Sequence, residues 1–166
     1  MRPARIEPGP GQESVWDYPR PPVAVPCERR IRVIHHGITL VDTSDAVRVL
    51  ETSQPPAYYL PPSAITAQHL VPTSNRSLCE WKGLATYWSL TDERGRPDTL
   101  EVAWSYERPT AEFAPLAGML AFYAQRVDEC WVDDERVTPN PGTFYGGWIT
   151  SHVVGPFKGA PGTLHW

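Results

Sequence analysis

The segments LATYWSLT (Leu84–Thr91) and TLEVAWSY (Thr99–Tyr106) are the strongest structural signal in this chain. Both are rich in β-branched and aromatic residues, and a polar loop with turn-forming residues, DERGRP (Asp92–Pro97), separates them. This pattern predicts an antiparallel β-hairpin. Because successive side chains of a strand point to opposite faces, Tyr87 and Trp88 should lie on different faces of that hairpin.

Shorter strand patterns flank this hairpin on both sides. The further predicted strands are Ile31–His35, Ile38–Val41, Ala46–Glu51, Ala57–Leu60, Gly118–Ala124 and Cys130–Val132. Ser63–His69 fits either a strand or a helical turn, and Thr110–Leu116 fits a short helical turn. The chain holds 19 prolines and 12 glycines, which helix interiors tolerate poorly. We therefore predict a mainly β protein with two packed antiparallel sheets, in a sandwich or open barrel, and very little helix.

The length of 166 residues corresponds to one domain with extensions at both ends. Residues 1–30 hold seven prolines and predict an extended arm without regular structure. We expect this arm to dock on the body through Trp16 and Tyr18, and a partner-binding peptide or a disordered tail are the alternatives. Residues 31–137 form the predicted β domain, and residues 138–166 a Gly/Pro-rich tail.

The composition excludes several classes of protein. Fifteen basic and nineteen acidic side chains give a net charge of −4, which does not favour nucleic-acid binding by bulk charge. No apolar run approaches the ~18 residues of a membrane span, and no apolar signal core follows Met1. Cys27, Cys79 and Cys130 match neither a zinc motif nor a disulfide framework, which indicates a reducing cytoplasm. We predict no metal and no cofactor, and either a monomer or a homodimer paired through an exposed edge strand.

Aromatic side chains dominate the candidate binding residues. These are Tyr58, Tyr59, Trp81, Tyr87, Trp88, Trp104 and Tyr106. Since Trp and Tyr carry a polar tip that needs a partner when buried, we expect about half of them to line the core and half a ligand cleft. The alternative is an ordinary division between core and surface.

Lys82 is one of only two lysines in the chain and lies between Trp81 and Gly83. At the edge of an aromatic cleft it could bind a phosphate or carboxylate, or act as a nucleophile; alternatively it is a surface lysine whose stem covers Trp81. Cys79, three residues earlier, is a candidate reactive thiol, or else an inert small hydrophobic residue. Glu101 is a candidate general base, or a solvent-facing strand carboxylate. The second lysine, Lys158, repeats the aromatic-Lys-Gly pattern in the tail, either by chance or because the tail copies part of the site.

Other polar residues are better explained by structure than by chemistry. His35 and His36 are adjacent in a strand pattern, so they should face opposite ways and not form a metal pair. Asp133 and Asp134 fit a hairpin turn. No catalytic triad can be drawn around the isolated histidines, which are His69, His152 and His165.

Several motifs, in their order and spacing, resemble a bacterial family called domain of unknown function 427, which is also labelled nucleotidyltransferase-like. They are Pro56–Pro61 (PAYYLP), Cys79–Gly83 (CEWKG), Tyr87–Leu90 (YWSL), Ala103–Pro109 (AWSYERP), Ala121–Tyr123 (AFY) and Arg126–Asp128 (RVD). The segments Glu13–Pro22 and Gly146–Thr150 resemble its actinobacterial members. The family usually has proline where this chain has Glu80.

The resemblance implies a compact, mostly β domain akin to the β-tent group, which includes the thalidomide-binding domain of cereblon. Zinc-binding relatives in that group use paired Cys-x-x-Cys motifs, and this chain has none. Nucleotidyl transfer would need carboxylates that hold Mg²⁺ near the phosphates. The sequence contains no Gly-Ser followed by Asp-x-Asp and no Walker-type loop, so it argues against that activity.

Three functions therefore follow, in order of preference. The first is a small-molecule binding module with an aromatic cleft and Lys82 at its edge. The second is an enzyme that uses Lys82 or Cys79. The third is an interaction module whose N-terminal arm binds a protein partner.

Overall fold

The computed structural model describes residues 3–66, 70–92 and 94–166. Its strands are β1 (Glu13–Ser14), β2 (Val23–Cys27), β3 (Ile31–His35), β4 (Ile38–Thr43), β5 (Ala46–Leu50), β6 (Ala57–Tyr59), β7 (Leu70–Cys79), β8 (Gly83–Thr91), β9 (Pro97–Ser105), β10 (Leu120–Phe122), β11 (Glu129–Val132), β12 (Glu135–Arg136), β13 (Thr138–Pro139), β14 (Trp148–Ile149) and β15 (Val153–Val154). Short 3₁₀ helices occupy Val15–Asp17, Pro62–Ala64 and Ala111–Leu116. The protein is mainly β, as predicted.

The predicted central hairpin is confirmed. β8 and β9 pair antiparallel, with Tyr87 opposite Trp104 and Trp88 opposite Ala103. They form the middle of a four-stranded sheet in the order β10-β9-β8-β7. The hairpin therefore places three large side chains, Tyr87, Trp88 and Trp104, on the two middle strands of this sheet.

A second four-stranded sheet has the order β12-β11-β3-β4. The predicted turn at its β3–β4 connection is present, because His35 pairs with Ile38 across His36 and Gly37. Both turn residues have positive φ, 50° and 74°, the pattern of a type I′ turn whose twist suits an antiparallel hairpin.

The third sheet has the order β2-β5-β6, and one backbone pair extends it onto the first. Leu60 and Leu120 exchange hydrogen bonds of 2.8 and 2.9 Å, which joins the end of β6 to β10. Two small two-stranded sheets complete the fold, β13–β14 antiparallel and β1–β15 parallel. None of the described sheets closes into a barrel.

Seven of the described strands were not predicted from the sequence, namely β1, β2, β7, β12, β13, β14 and β15, and β2 and β7 are the longest of them. β2 lies inside the arm that we expected to lack regular structure, and the ten-residue β7 lies in a stretch without a strand prediction. Each contains a proline, Pro26 or Pro72, which has no backbone N–H to donate to a ladder. Both are edge strands of their sheets, where a missing N–H costs no ladder hydrogen bond. Of the segment Ser63–His69, residues 67–69 lie outside the described residues, as does Glu93 of the predicted loop.

Two clusters of buried side chains share the sheet built on β8 and β9. The inner core lies against the β12-β11-β3-β4 sheet, and its fully buried members are Ile31, Val33, Val41, Leu60, Val102, Phe122, Val132 and Trp148. The aromatic cluster contains Val49, Tyr59, Ala85, Trp104, Tyr106, Phe113, Leu116, Met119, Ala121 and Tyr123. One sheet thus separates a largely aliphatic interior from a largely aromatic one.

The N-terminal segment packs on the tail. Val15 and Tyr18 are buried together with Leu50 and Val153. The indole Nε1 of Trp16 donates a 2.9 Å hydrogen bond to the carbonyl oxygen of Pro156. These contacts join residues from both ends of the chain in one small cluster. Among the described residues, no helix has the length and apolar character needed to cross a membrane.

Candidate functional site

Adjacent aromatic residues divide between the two clusters, as strand alternation predicts. Tyr58 enters the inner core, where its ring stacks on Trp148 with centroids 5.0 Å apart, whereas Tyr59 belongs to the aromatic cluster. Trp88 likewise packs on the inner core, and Tyr87 packs on the aromatic cluster. The sheet therefore sorts the candidate residues into two groups.

A cavity of about 780 Å³ opens beside the aromatic cluster. The predicted site residues that line it are Tyr59, Trp81, Tyr87, Trp104, Tyr106, Lys82, Cys79 and Glu101. Tyr58 and Trp88 do not line it, so their assignment to a cleft is corrected. Their side chains point through the sheet into the inner core, because each is the neighbour of a residue that faces the cavity.

The indole of Trp104 is held in place in the cavity wall by two neighbouring tyrosines. Its Nε1 donates a 3.0 Å hydrogen bond to the hydroxyl oxygen of Tyr59, and the two rings meet edge to face. The ring of Tyr123 lies 4.5 Å from it, centroid to centroid. Since Trp104 is buried and held on two sides, the wall is a pre-formed surface.

The phenols of this wall stay neutral at physiological pH. Burial raises the pKa of Tyr59, Tyr106 and Tyr123 well above the usual value for tyrosine. Each therefore keeps its O–H proton. Tyr87 adds a fourth hydroxyl, 2.7 Å from the hydroxyl of Ser77. The wall can offer hydrogen-bond donors to a ligand without carrying negative charge.

Glu101 lies in a β-bulge. Between the pairs Trp88–Ala103 and Leu90–Thr99, β8 contributes one residue and β9 contributes three. Glu101 is the middle of those three and has a φ of 49°, which residues with a side chain rarely adopt. Bulges change the direction of side chains, and this one turns a carboxylate towards the cavity.

Side chains hold the backbone of this bulge in place. The amide of Glu101 donates to the Ser89 hydroxyl at 2.9 Å, and Arg126 Nη1 donates to the Glu101 carbonyl oxygen at 2.7 Å. The Glu101 carboxylate itself accepts a 3.0 Å hydrogen bond from the side-chain amide of Asn75. Strained backbone persists where its surroundings fix it in this way, and such positions are concentrated at functional sites.

The tail forms part of the cavity wall through glycine. A Cβ on Gly146 would lie 2.5 Å from Cη2 of Trp104 and 2.9 Å from Cδ1 of Tyr123. A Cβ on Gly147 would lie 2.4 Å from the carbonyl oxygen of Pro55. Only glycine lets this backbone lie directly on the aromatic rings.

Three cations line the cavity, and sequence reasoning selected only one of them for it. Lys82 was predicted, while Arg126 and Lys158 were not. Arg126 and its ring partner Tyr123 lie in motifs that carried the family resemblance, and the guanidinium stacks 4.1 Å from the centre of the tyrosine ring. For Lys158 the repeated aromatic-Lys-Gly pattern indicates either chance or a copy of part of the site, and no local pattern indicates that the tail packs against Trp104 of β9.

Residues 23–133 match the model of a family described as a domain of unknown function, DUF427. The chain belongs to the DUF427 family. No curated protein matches it.

The DUF427 match covers β2 to β11 and therefore most of the cavity wall. The rest of the wall comes from the tail, beyond the matched residues. These tail residues are Thr143, Phe144, Tyr145, Gly146, Gly147 and Lys158. The site is thus a DUF427 scaffold completed by a segment that the family model does not include.

One polar cluster of this DUF427 protein lies away from the cavity. The prediction that His35 and His36 face opposite ways is wrong, because the turn at His36 stacks their rings 4.0 Å apart. Together with Asp128 they offer potential metal-ligand atoms within 4.8 Å of one another. However, both ring nitrogens of His35 are already engaged, Nδ1 with the Asp128 amide at 3.1 Å and Nε2 with the Thr99 hydroxyl at 3.0 Å.

Asp133 lies in the turn between β11 and β12, which agrees with the turn interpretation. Its carboxylate accepts hydrogen bonds from Arg29 at 2.8 Å and from the Arg30 amide at 3.0 Å. The Arg29 guanidinium and the amide of Arg30 together hold the pKa of this carboxyl below its usual range. The Asp133 carboxylate thus joins the β11–β12 turn to the segment that precedes β3, and it is not among the residues that line the cavity.

Proposed function

We propose that this protein is a binding module for a small organic molecule, held in the cavity beside the aromatic cluster. One observation carries the proposal: aromatic rings, neutral phenols and the ammonium group of Lys82 line a single cavity. Rings supply flat apolar contact, and a few fixed polar groups supply orientation. This combination is typical of small-molecule sites.

The size and rigidity of the cavity support the same proposal. A volume of about 780 Å³ lies within the range of roughly 300–1,000 Å³ found for ligand sites. The hydrogen bond between Trp104 and Tyr59, and the close packing of Gly146, fix the wall before any ligand arrives. A pre-formed wall lowers the entropic cost of binding.

A thermal-shift screen tests the proposal, with calorimetry on each hit. The panel contains nucleotides, amines, imides and small carboxylates, with and without Mg²⁺. A ligand at about 100 times its Kd stabilises by ~2.7 kcal/mol, which raises Tm by roughly 5–10 °C in a chain of this size. We expect a ligand whose affinity falls in Lys82→Met. Arg94→Met, which removes an exposed charge in the β8–β9 loop, is the control and should leave that affinity unchanged. A panel in which no compound raises Tm or gives binding heat would contradict the proposal.

An enzyme is the second candidate, and a specific observation favours it. Cys79, Lys82 and Glu101, the candidate reactive groups, all line this one cavity. An enzyme would convert a bound ligand, and Glu101→Gln would abolish turnover while binding remained. Unchanged ligand after prolonged incubation, followed by NMR, would leave the binding module as the function.

A protein-interaction module is the third candidate. The contacts of Trp16 and Tyr18 with the tail and the body support it less, because these side chains are already engaged within the chain. We also propose a cytoplasmic setting in bacteria. The free thiols of Cys27, Cys79 and Cys130 and the resemblance of the arm and tail to actinobacterial members support that setting.

A further inference from the structure

Both lysines of the chain line the same cavity. Lys82 lies in the turn between β7 and β8, whereas Lys158 lies in the tail, outside the part that matches DUF427. Lysine is scarce in this sequence, which uses 13 arginines for its other basic side chains. The fold therefore places two lysines that are remote in sequence in the wall of one cavity.

The two lysines have the same local arrangement. Each follows an aromatic residue and precedes a glycine, in Trp81-Lys82-Gly83 and Phe157-Lys158-Gly159. Gly83 has a φ of 109° and Gly159 a φ of 147°, a conformation that side-chain-bearing residues rarely adopt. In both places a glycine turn follows a lysine at the cavity wall.

Both ammonium groups lie near aromatic rings. Lys82 Nζ is 5.7 Å from the ring centre of Tyr106 and 5.9 Å from that of Phe113. Lys158 Nζ is 5.2 Å from the ring centre of Tyr145. Within the described part of the chain, neither lysine forms an ion pair with a carboxylate. A ring face orients an ammonium group but leaves its charge uncompensated.

The carboxylates of the cavity are placed elsewhere in its wall. The Glu51 carboxylate accepts a 3.0 Å hydrogen bond from the side-chain amide of Gln54 and lies 3.7 Å from the guanidinium of Arg20. Glu101 accepts from the amide of Asn75, and Glu80 is exposed to solvent. The positive charges of Lys82 and Lys158 therefore remain available to a bound molecule.

We propose that Lys82 and Lys158 form a two-lysine anion site, and that the ligand is a planar organic anion, namely an aromatic ring that bears carboxylate or phosphate groups. This inference rests on the proposed function and adds the chemical class of the ligand. Ammonium groups bind the anion, the aromatic wall stacks on the ring, and the neutral phenols add hydrogen-bond donors. Because Lys158 comes from the tail, the tail supplies one of the two positive charges of the site.

Calorimetric titration of the full chain at low ionic strength tests this inference. The probes are benzoate, benzene-1,3-dicarboxylate and phenyl phosphate, with benzamide and benzene-1,3-dicarboxamide as their neutral counterparts. Lys82→Met and Lys158→Met remove the charge but keep the length of the stem, and Lys158→Arg keeps the charge. Arg94→Met is the control for a change in net charge.

We expect an anion to bind and its neutral amide to bind at least tenfold more weakly. Each lysine-to-methionine variant should weaken the anion about tenfold or more, while Lys158→Arg and Arg94→Met should stay within about threefold of the parent. The comparison of benzoate with phenyl phosphate identifies which anionic group the site prefers.

Two results would overturn the inference in distinguishable ways. If neutral amides bind as tightly as anions, or Lys158→Met binds like the parent, the two-lysine site is wrong while a ligand cavity remains. If no probe binds and the broad panel used for the proposed function also yields no ligand, both proposals fail together. Circular dichroism and Tm of each variant confirm that lost binding does not arise from unfolding.

Discussion

The two faces of the sheet built on β8, β9 and β10 have different chemistry. On the inner-core face, Phe122 and its neighbours Ile31 and Val33 are completely buried and carry no polar atoms in their side chains. On the aromatic face, Trp104 and Tyr59 carry polar tips that must find partners, and they find them in each other. The first face meets another sheet, whereas the second borders a cavity.

This difference separates stability from recognition within one sheet. The inner-core face gains free energy by removing apolar side chains from water, so its buried members pack closely. An aromatic face with hydroxyl groups can border a cavity, because its polar atoms form hydrogen bonds with one another and with a molecule bound in the cavity. The substitutions below test whether the two faces are separable in this way, in order of expected effect.

Phe122→Ala should give the largest loss of stability. It removes a fully buried ring from the inner core, which costs about 3–5 kcal/mol in comparable sites. Urea denaturation measures the change in the free energy of unfolding. A loss below about 1 kcal/mol would mean that the inner core is not the main source of stability, which would contradict the division of stability and recognition between the two faces.

Gly146→Ala should be the next most damaging. The added methyl group would lie 2.5 Å from the Trp104 ring, and overpacking of this kind typically costs about 1–3 kcal/mol. We expect lower stability together with altered tryptophan fluorescence, because Trp104 must move. Gly9→Ala is the matched control, since its nearest neighbour is the flexible end of Gln12. Equal effects in the two variants would show that the tail does not press on the aromatic face.

Tyr59→Phe tests how much the hydrogen bond between the polar groups of Tyr59 and Trp104 contributes to stability. The change removes the hydroxyl that accepts the hydrogen bond from Trp104, and a buried N–H left without a partner costs roughly 1–3 kcal/mol. Tyr87→Phe is the control, because its hydroxyl bonds to the exposed Ser77 and to the hydroxyl of Tyr123, so its loss leaves no buried N–H without an acceptor and should change stability less. The difference between the two midpoints in urea is the quantity to measure.

The pH dependence of stability gives the smallest effect and also separates the faces. On the inner side, burial, followed by the nearby His36, lowers the pKa of His35 below its usual 6.5. The unfolded state then binds the proton more readily than the folded state. The contribution of His35 to the free energy of unfolding is therefore complete above about pH 6.5 and is lost as pH falls towards the lowered pKa. The raised pKa values of Tyr59 and Tyr106 predict no change from the aromatic face over the same range.

Denaturant midpoints between pH 8 and pH 5 measure this difference. We expect His35→Gln to flatten the profile and the exposed-surface control His165→Gln to leave it unchanged. An unaltered slope in His35→Gln would assign the acid sensitivity to other groups.

Much of the fold follows from local sequence patterns. The β3–β4 hairpin and the β8–β9 hairpin were predictable because strand periodicity and turn residues act over short distances. β2 and β7 were not, because Pro26 and Pro72 are compatible with a strand only at a sheet edge, and edge position is a property of the assembled sheet.

For the candidate site, sequence by itself determined the inventory: the aromatic residues, the scarcity of lysine and the alternation that separates Tyr58 from Tyr59. Only the tertiary structure decided which member of each pair meets the cavity, that Glu101 turns towards it, and that Lys158 joins Lys82 there. The physical reason is that local preferences fix the conformation of a few neighbouring residues, whereas the wall of a cavity is made by long-range packing of segments as remote as β8 and the tail.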